Sequence, residues 1–139
     1  MSRVVAVLLI ASTVAIAAQS EVHYKVRLAP VPMDVAMRST VAGTGSATAA
    51  LKGATLTVTG KFEGLRSPAT AARLYLGPAM GLRGMPVADL TISKATDGTI
   101  SGSAMLSAEQ VRALEKNRIY LQIASERAPD GNLWGWFVR

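Results

Sequence analysis

Few side chains in this chain of 139 residues could carry catalytic or metal chemistry. It has no cysteine and a single histidine, His23, so nucleophilic catalysis lacks both a thiol and a nearby histidine base. The acidic residues are dispersed and form no recognisable glycosidase pair. The glycines of segment 77–84 do not match a phosphate loop, because Pro78 and Pro86 frame them and no Lys-Ser or Lys-Thr follows. We therefore expect a protein that is not an enzyme and holds no metal or cofactor.

One group of side chains has the composition of a binding surface. Arginine and aromatic residues recur at alternate positions of three predicted strands, and residues i and i+2 of a strand share a face. These residue types are enriched at binding hot spots. The alternative is that one or both tryptophans close the core, because two tryptophans on one strand carry a large apolar area. The candidate patch comprises Arg73, Tyr75, Gln122, Ala124, Trp134 and Trp136, with Tyr120 on the same predicted strand face as Gln122.

Alternating apolar residues predict the strands that position this patch. Pro30 and Pro32 are expected to end the first strand and residues 129–131 to form the last turn. His23 lies on the polar side of the first strand and is interpreted as a bystander, since a metal site needs several convergent ligands. The predicted strands span 22–28, 45–51, 54–62, 71–77, 87–93, 99–106, 118–125 and 133–138, and a loop spans 33–44.

A single short helix is predicted near 107–116. Ser107 and Gln110 have the spacing of a capping box, and Val111 and Leu114 give the helix an apolar stripe. Seven or eight short strands separated by turns, with one helix, indicate an all-β antiparallel sandwich.

The first 18 residues have the pattern of a secretory signal peptide. Arg3 precedes an apolar or small run from Val4 to Ala18. We prefer cleavage after Ala18, although Ala15 and Ala17 also suit cleavage after Ala17. The run is shorter than the roughly 20 apolar residues of a spanning helix, so no stable membrane anchor is expected. Residues 19–139 are then one domain, and an exported domain without disulfides favours a periplasmic or secreted location.

The charge of the chain does not identify a partner. The formal net charge of +6 becomes +5 without Arg3, and the basic residues are scattered rather than clustered. A nucleic-acid partner is therefore not expected, because such proteins carry basic patches or tails.

Short motifs occur in a fixed order along the chain. The last third contains LSAEQVRAL (106–114), RIYLQI (118–123) and APDGNLWG (128–135). Upstream segments are VTGKFEGL (58–65), ATAARLYLGP (69–78) and GMPV (84–87). Each motif alone is loose, but their order and spacing resemble the chordin-type (CHRD) domain family from about residue 24 to 137. The resemblance implies an exported immunoglobulin-like sandwich in a family without an established catalytic activity.

The chain departs from this family at three positions. Members often carry two histidines in an AHIH motif and a third in VHT, and these imidazoles could converge on a transition metal. Arg73, Tyr75 and Ala124 stand there in this chain, and an arginine cannot ligate in place of a neutral imidazole. The departures indicate a metal-free patch. Arg73 could grip a carboxylate or phosphate of a partner, or pair with an acid such as Glu126.

These observations favour an exported, non-catalytic CHRD-domain binding or accessory module. Its partner would be an unknown protein or a component of the cell envelope. Two alternatives remain at this stage: a metal-handling or redox-enzyme accessory protein of the envelope, and a structural surface or matrix protein.

Overall fold

The computed structural model describes residues 20–139, which form eight antiparallel strands and one α-helix. The predicted signal peptide, 1–18, lies outside the described residues. A short 3-10 helix over Ala36–Ser39 occupies part of the predicted loop. In chain order the elements are β1 (Glu21–Pro30), β2 (Thr44–Lys52), β3 (Thr55–Glu63), β4 (Ala69–Leu76), β5 (Met85–Ile92), β6 (Gly98–Met105), α1 (Ala108–Glu115), β7 (Ile119–Ser125) and β8 (Ala128–Trp136).

The strands close into a barrel in the order β1-β2-β3-β6-β5-β4-β7-β8, with β8 pairing back to β1. The predicted immunoglobulin-like sandwich is therefore wrong, while the all-β antiparallel class, the strand number and the single α-helix are confirmed. Two short ladders close the strands into a barrel in place of a sandwich. Ala29 and Pro30 of β1 pair with β8, and Thr91 and Ile92 of β5 pair with β6. A sandwich would leave these four strands as edges.

Each strand turns alternate residues into the barrel. In β3, Leu56, Val58 and Phe62 are buried while Thr57 and Thr59 are exposed, as the alternation predicted. The inward residues and helix α1 form the main apolar core, and Val31, Val41 and Ala128 form a smaller separate cluster. The largest fully buried side chains of the main core include Tyr24, Leu28, Leu56, Leu74, Ile100, Leu114, Ile119, Leu121, Ile123, Leu133 and Phe137. The core needs no disulfide bond, because closure of the barrel buries the inner face of every strand.

Helix α1 begins at the predicted capping box. The Ser107 hydroxyl accepts a hydrogen bond from the backbone N–H of Gln110 at 3.2 Å, and the Gln110 side chain accepts one from the Ser107 N–H at 2.9 Å. Ala113 and Leu114 of the helix join the barrel core. Among residues 20–139, no helix is long and apolar enough to cross a lipid bilayer.

The connection between β7 and β8 is tighter than the sequence indicated. Ser125 pairs with Ala128, so residues 126–127 form the turn and the predicted turn at 129–131 is wrong. Segment 129–131 instead lies within β8, where the register with β7 shifts beyond Ile123. This strand therefore bulges outward just before its aromatic half, as extra residues in one strand of a pair do.

Candidate functional site

Four aromatic rings lie together on the outside of the barrel, over β4, β7 and β8. We call Tyr75, Tyr120, Trp134 and Trp136 the aromatic face. The two tyrosine rings are stacked, with centroids 5.1 Å apart and planes 9° apart. The Tyr120 centroid lies 5.8 Å from that of Trp134 and 5.0 Å from that of Trp136. The two indoles meet edge to face at 4.5 Å. The offset and edge-to-face contacts in this set are those that aromatic rings prefer.

The register of three strands assembles the rings. Tyr120 of β7 is directly opposite Tyr75 of β4 on one side and Trp136 of β8 on the other. Leu133 and Phe137, which have the opposite parity to the tryptophans, are fully buried inside the barrel. Both tryptophans are half-buried on its outer side. Neither tryptophan fills the barrel core, but Trp134 packs against a smaller buried cluster of Val31, Val41 and Ala128, so the alternative holds in part for Trp134.

The β4–β5 hairpin folds over this surface. The Gly84 N–H donates to the Tyr120 hydroxyl at 3.0 Å. Arg83 places its guanidinium carbon 5.6 Å from the Trp134 ring centroid and donates to the Asp130 carbonyl at 2.9 Å. Only glycine fits at position 84, because a Cβ there would lie 1.8 Å from a carbonyl oxygen of β4. The hairpin thus places the Arg83 guanidinium over the aromatic face and beside the bulge of β8.

Gln122 of β7 lies beneath that bulge and is only 7% exposed. Its Nε2 donates to the Asp130 carbonyl at 3.4 Å, whereas its Oε1 is buried without a hydrogen-bond partner among residues 20–139. Gly131 covers the amide with φ +130°, and a Cβ there would lie 2.9 Å from Gln122 Cδ. A buried acceptor without a donor costs about 1–3 kcal/mol. Trp136 Nε1 is a second buried polar atom of this surface without a partner.

Asn132 holds the bulge in place from inside. It is fully buried, and its Nδ2 donates to the Ser125 hydroxyl at 2.9 Å. Its Oδ1 accepts from the Ala42 N–H at 3.2 Å. One buried amide therefore ties β8 to β7 and to the segment between β1 and β2, and both ends of its side chain are satisfied.

The hairpin, the bulge and β7 enclose a cleft of about 340 Å³. A larger cleft of about 530 Å³ lies over β1–β3 and is lined in part by Arg27, Lys61 and Glu63. We favour the smaller one as the site, because no buried polar atom without a partner lines the larger one. The smaller cleft is lined by Tyr75, Arg83, Gly84, Tyr120, Gln122, Pro129 and Asp130.

Arg73 belongs to a different part of the surface. Its Nε donates to the Asp89 carboxylate across the β4–β5 ladder, where the two residues are direct partners. That hydrogen bond, with a smaller contribution from Tyr75, raises the pKa of Arg73 above its ordinary value. The acid that pairs with Arg73 is therefore Asp89 rather than Glu126, which lies in the β7–β8 turn.

The three positions at which the family resemblance implies histidine share the outer face but do not converge on one point. Ala124 is opposite Ala71, so Tyr75 lies four residues further along β4, about 13 Å away. Arg73 stands between them and is held by Asp89. Among residues 20–139, no group of three His, Cys, Asp or Glu side chains is arranged to hold a metal ion. His23 is exposed on β1 with Glu21 as its neighbour at 3.7 Å.

Sequence reasoning placed Tyr75, Gln122 and both tryptophans on one surface, and it missed Arg83 and Asp130. Arg83 lies in an irregular glycine-rich loop, where no periodic pattern predicts which way a side chain points. Asp130 was assigned to a turn, and its role depends on the bulge. Ala124 contributes a small half-buried side chain outside the cleft. Of the residues that the prediction did not name, only Asp89 was indicated by the sequence, because the alternation of β5 places it on the outward side of that strand.

The match to known families covers both the barrel and this surface. The family model of the CHRD domain matches residues 29–136, which include the aromatic face, the β4–β5 hairpin and the bulge. No curated protein and no solved structure matches the chain. Because the family model spans more than half of the sequence, the chain belongs to the CHRD domain family.

Proposed function

We propose that this CHRD-domain protein is a non-catalytic binding module that acts through the aromatic face and the cleft beside it. One observation carries the proposal: half-buried tryptophans, the Arg83 cation and the Gln122 Oε1 acceptor without a partner occur together on one outer surface. Trp, Tyr and Arg are the residue types that dominate binding hot spots. The partner is a protein or a component of the cell envelope.

Strand pairing beneath the aromatic face supports recognition by side chains rather than by strand addition. Both β4 and β7 pair with a neighbouring strand on each side, so neither offers a free edge to an extended peptide there. Exposed Met80 and Leu82 at the tip of the β4–β5 hairpin extend the apolar surface beyond Arg83. Such adaptable apolar side chains beside aromatic anchors are typical of contact surfaces.

Export is part of the proposal, because the predicted signal peptide would deliver the module to the periplasm or the outside of the cell. Mass spectrometry of protein isolated from its host is expected to find a mature N-terminus at Gln19. An intact segment from Met1 to Ala18 on membrane-bound protein would contradict the proposal.

Site-specific photocross-linking in the native host tests the binding surface. A Leu82→benzoylphenylalanine variant places the reactive group on the hairpin beside Arg83, and a Thr59→benzoylphenylalanine variant places it on an exposed position of β3. We expect specific cross-linked products from position 82 and none in common with position 59. Identical products from both positions, or none from position 82, would overturn the proposed surface.

The metal-handling alternative is separated from this proposal by calorimetric titration with copper(II) and zinc(II). We expect no tight one-to-one site, because Arg73 carries a fixed positive charge where the family resemblance implies an imidazole. A site that disappears in Tyr75→Phe would favour the metal-handling alternative. Turnover of a substrate that depends on Arg73 or Tyr75 would contradict the non-catalytic assignment.

A further inference from the structure

The acceptor in the cleft requires a ligand that donates a hydrogen bond. The orientation of the Gln122 amide follows from its surroundings, because Nε2 faces the Asp130 carbonyl oxygen and only a donor can face that oxygen. Oε1 is therefore the atom without a partner. Oε1 is covered by the Gly131 segment, so a ligand O–H or N–H that displaces this cover and reaches Oε1 removes the cost of a buried acceptor without a donor.

The charges around the cleft favour a ligand without net charge. Arg83 and Asp130 both line it, so one cationic and one anionic residue border the same space. Arg83 uses Nη1 on the Asp130 carbonyl and has further N–H donors, whereas a carboxylate only accepts. A matching ligand donates to Asp130 and Gln122 and accepts from Arg83 at neighbouring atoms. Adjacent hydroxyl groups do both, since each hydroxyl donates one hydrogen bond and accepts others.

The ring of Tyr75 adds an apolar wall to this polar set. It is half-buried, stacked on Tyr120, and both rings line the cleft. A ligand that fits must therefore combine hydroxyl groups with an apolar face. A pyranose ring has this combination, because its hydroxyls project around the ring while its C–H groups form a face that packs on an aromatic side chain.

We propose that this cleft binds one unit of a neutral saccharide, either a free sugar or a residue of a glycan chain. The inference rests on the proposed binding function and names the ligand class of the same surface. The volume of about 340 Å³ is at the small end of the range of about 300–1,000 Å³ for small-molecule sites, which suits one sugar unit. An extended peptide is disfavoured because β4 and β7, the strands beneath the cleft, are paired on both sides.

Tryptophan fluorescence and calorimetry on the purified protein test the inference, because Trp134 lies under Arg83. The probes are glucose, galactose and mannose, hexaoses of the same sugars, and glucuronate as the acidic counterpart. Arg83→Ala and Asp130→Ala remove exposed groups of the cleft. Lys61→Ala and Glu63→Ala remove the corresponding charges of the larger cleft and serve as matched controls.

We expect saturable binding of at least one neutral sugar or hexaose, weakened about tenfold in each cleft variant and unchanged in both controls. Tighter binding of a hexaose than of its monosaccharide identifies a glycan chain as the source, and equal binding identifies a free sugar. Preference for glucuronate, or equal losses in the control variants, overturns the inference. If no sugar binds while cross-linking from position 82 persists, the saccharide inference fails and the proposed binding surface stands.

Discussion

Two outer surfaces of the same barrel carry different kinds of side chain at the positions that point away from the core. On β2, β3 and β6 these residues are short and polar, and we call Ser46, Thr48, Thr57, Thr59, Ser101 and Ser103 the hydroxyl face. All six are exposed, and hydroxyl oxygens on neighbouring strands lie 3.4 Å apart in two pairs. On β4, β7 and β8 the equivalent positions hold the aromatic face, with a buried Tyr120 and a buried Gln122.

The difference lies in what covers each surface. Water covers the hydroxyl face, whereas the β4–β5 hairpin and the bulge of β8 cover β7 and bury both of its sides. Outward residues of β7 therefore need partners inside the protein. Among residues 20–139, Gln122 Oε1 and Trp136 Nε1 do not have one, and they occur on the covered side of the barrel. The third buried polar side-chain atom without a partner in this part of the chain is the Tyr24 hydroxyl inside the barrel, and the hydroxyl face has none.

The largest effect expected from this comparison is a loss of stability beneath the aromatic face. Leu121→Ala removes a fully buried side chain from a strand that is covered on both sides, and we expect a loss of about 2–5 kcal/mol in the free energy of unfolding. Thr59→Ala on the hydroxyl face is the control and should stay within about 0.5 kcal/mol of wild type. Urea denaturation measures both. A loss below about 1 kcal/mol for Leu121→Ala would show that β7 is not central.

The inner face of the barrel was predictable from the sequence, and its closure was not. Alternation in β3 and β7 identifies Leu56, Val58, Leu121 and Ile123 as inward residues, and all four are buried. Barrels and sandwiches share this alternation, because each buries one face of every strand. The deciding contacts are the short ladders at the C-terminal ends of β1 and β5, which pair few residues and leave no periodic signal.

The candidate site was predictable only where it lies on regular strands. The parity of β4, β7 and β8 brings Tyr75, Tyr120 and Trp136 to one surface through ordinary cross-strand register. Arg83 and Asp130 reach the same surface from an irregular hairpin and a bulge. Their positions depend on tertiary contacts, such as the hydrogen bond from Arg83 to the Asp130 carbonyl, that local sequence does not encode.

A smaller effect is expected at the buried amide that holds the bulge. Asn132→Ala leaves the Ser125 hydroxyl and the Ala42 N–H without their partner, and we expect a loss of about 1–3 kcal/mol together with faster hydrogen exchange at Ala42. Thr57→Ala breaks a 3.4 Å hydroxyl pair on the hydroxyl face and should cost far less, because water replaces the lost contact. Equal losses from the two substitutions would remove the energetic distinction between the surfaces.

The interaction energy between the two stacked tyrosines is expected to be smaller than the loss of stability from either of the substitutions above. A double-mutant cycle with Tyr75→Leu and Tyr120→Leu should give an interaction energy of about 0.5–1.5 kcal/mol, because the rings are stacked at 5.1 Å. The corresponding cycle on the hydroxyl face uses Thr48→Ala and Thr59→Ala and should give a value near zero. Thermal or urea unfolding of the wild type and the six variants measures both cycles. Coupling below about 0.3 kcal/mol between the tyrosines would contradict their stacking in solution.

The smallest effect is expected at the ion pair of Arg73 and Asp89, which lies in the open at the margin of the aromatic face. The side chains are 42% and 75% exposed, so Asp89→Asn should cost at most about 1 kcal/mol, and less at high salt. The raised pKa of Arg73 stabilises the fold at every pH below the ordinary pKa of the unfolded arginine, and this contribution is lost only as pH rises through the higher folded value. The cost of Asp89→Asn should therefore be the same at pH 7 and pH 10 in urea unfolding, while 1 M sodium chloride should reduce it. A cost that resists salt would show that Asp89 acts through packing and not through its charge.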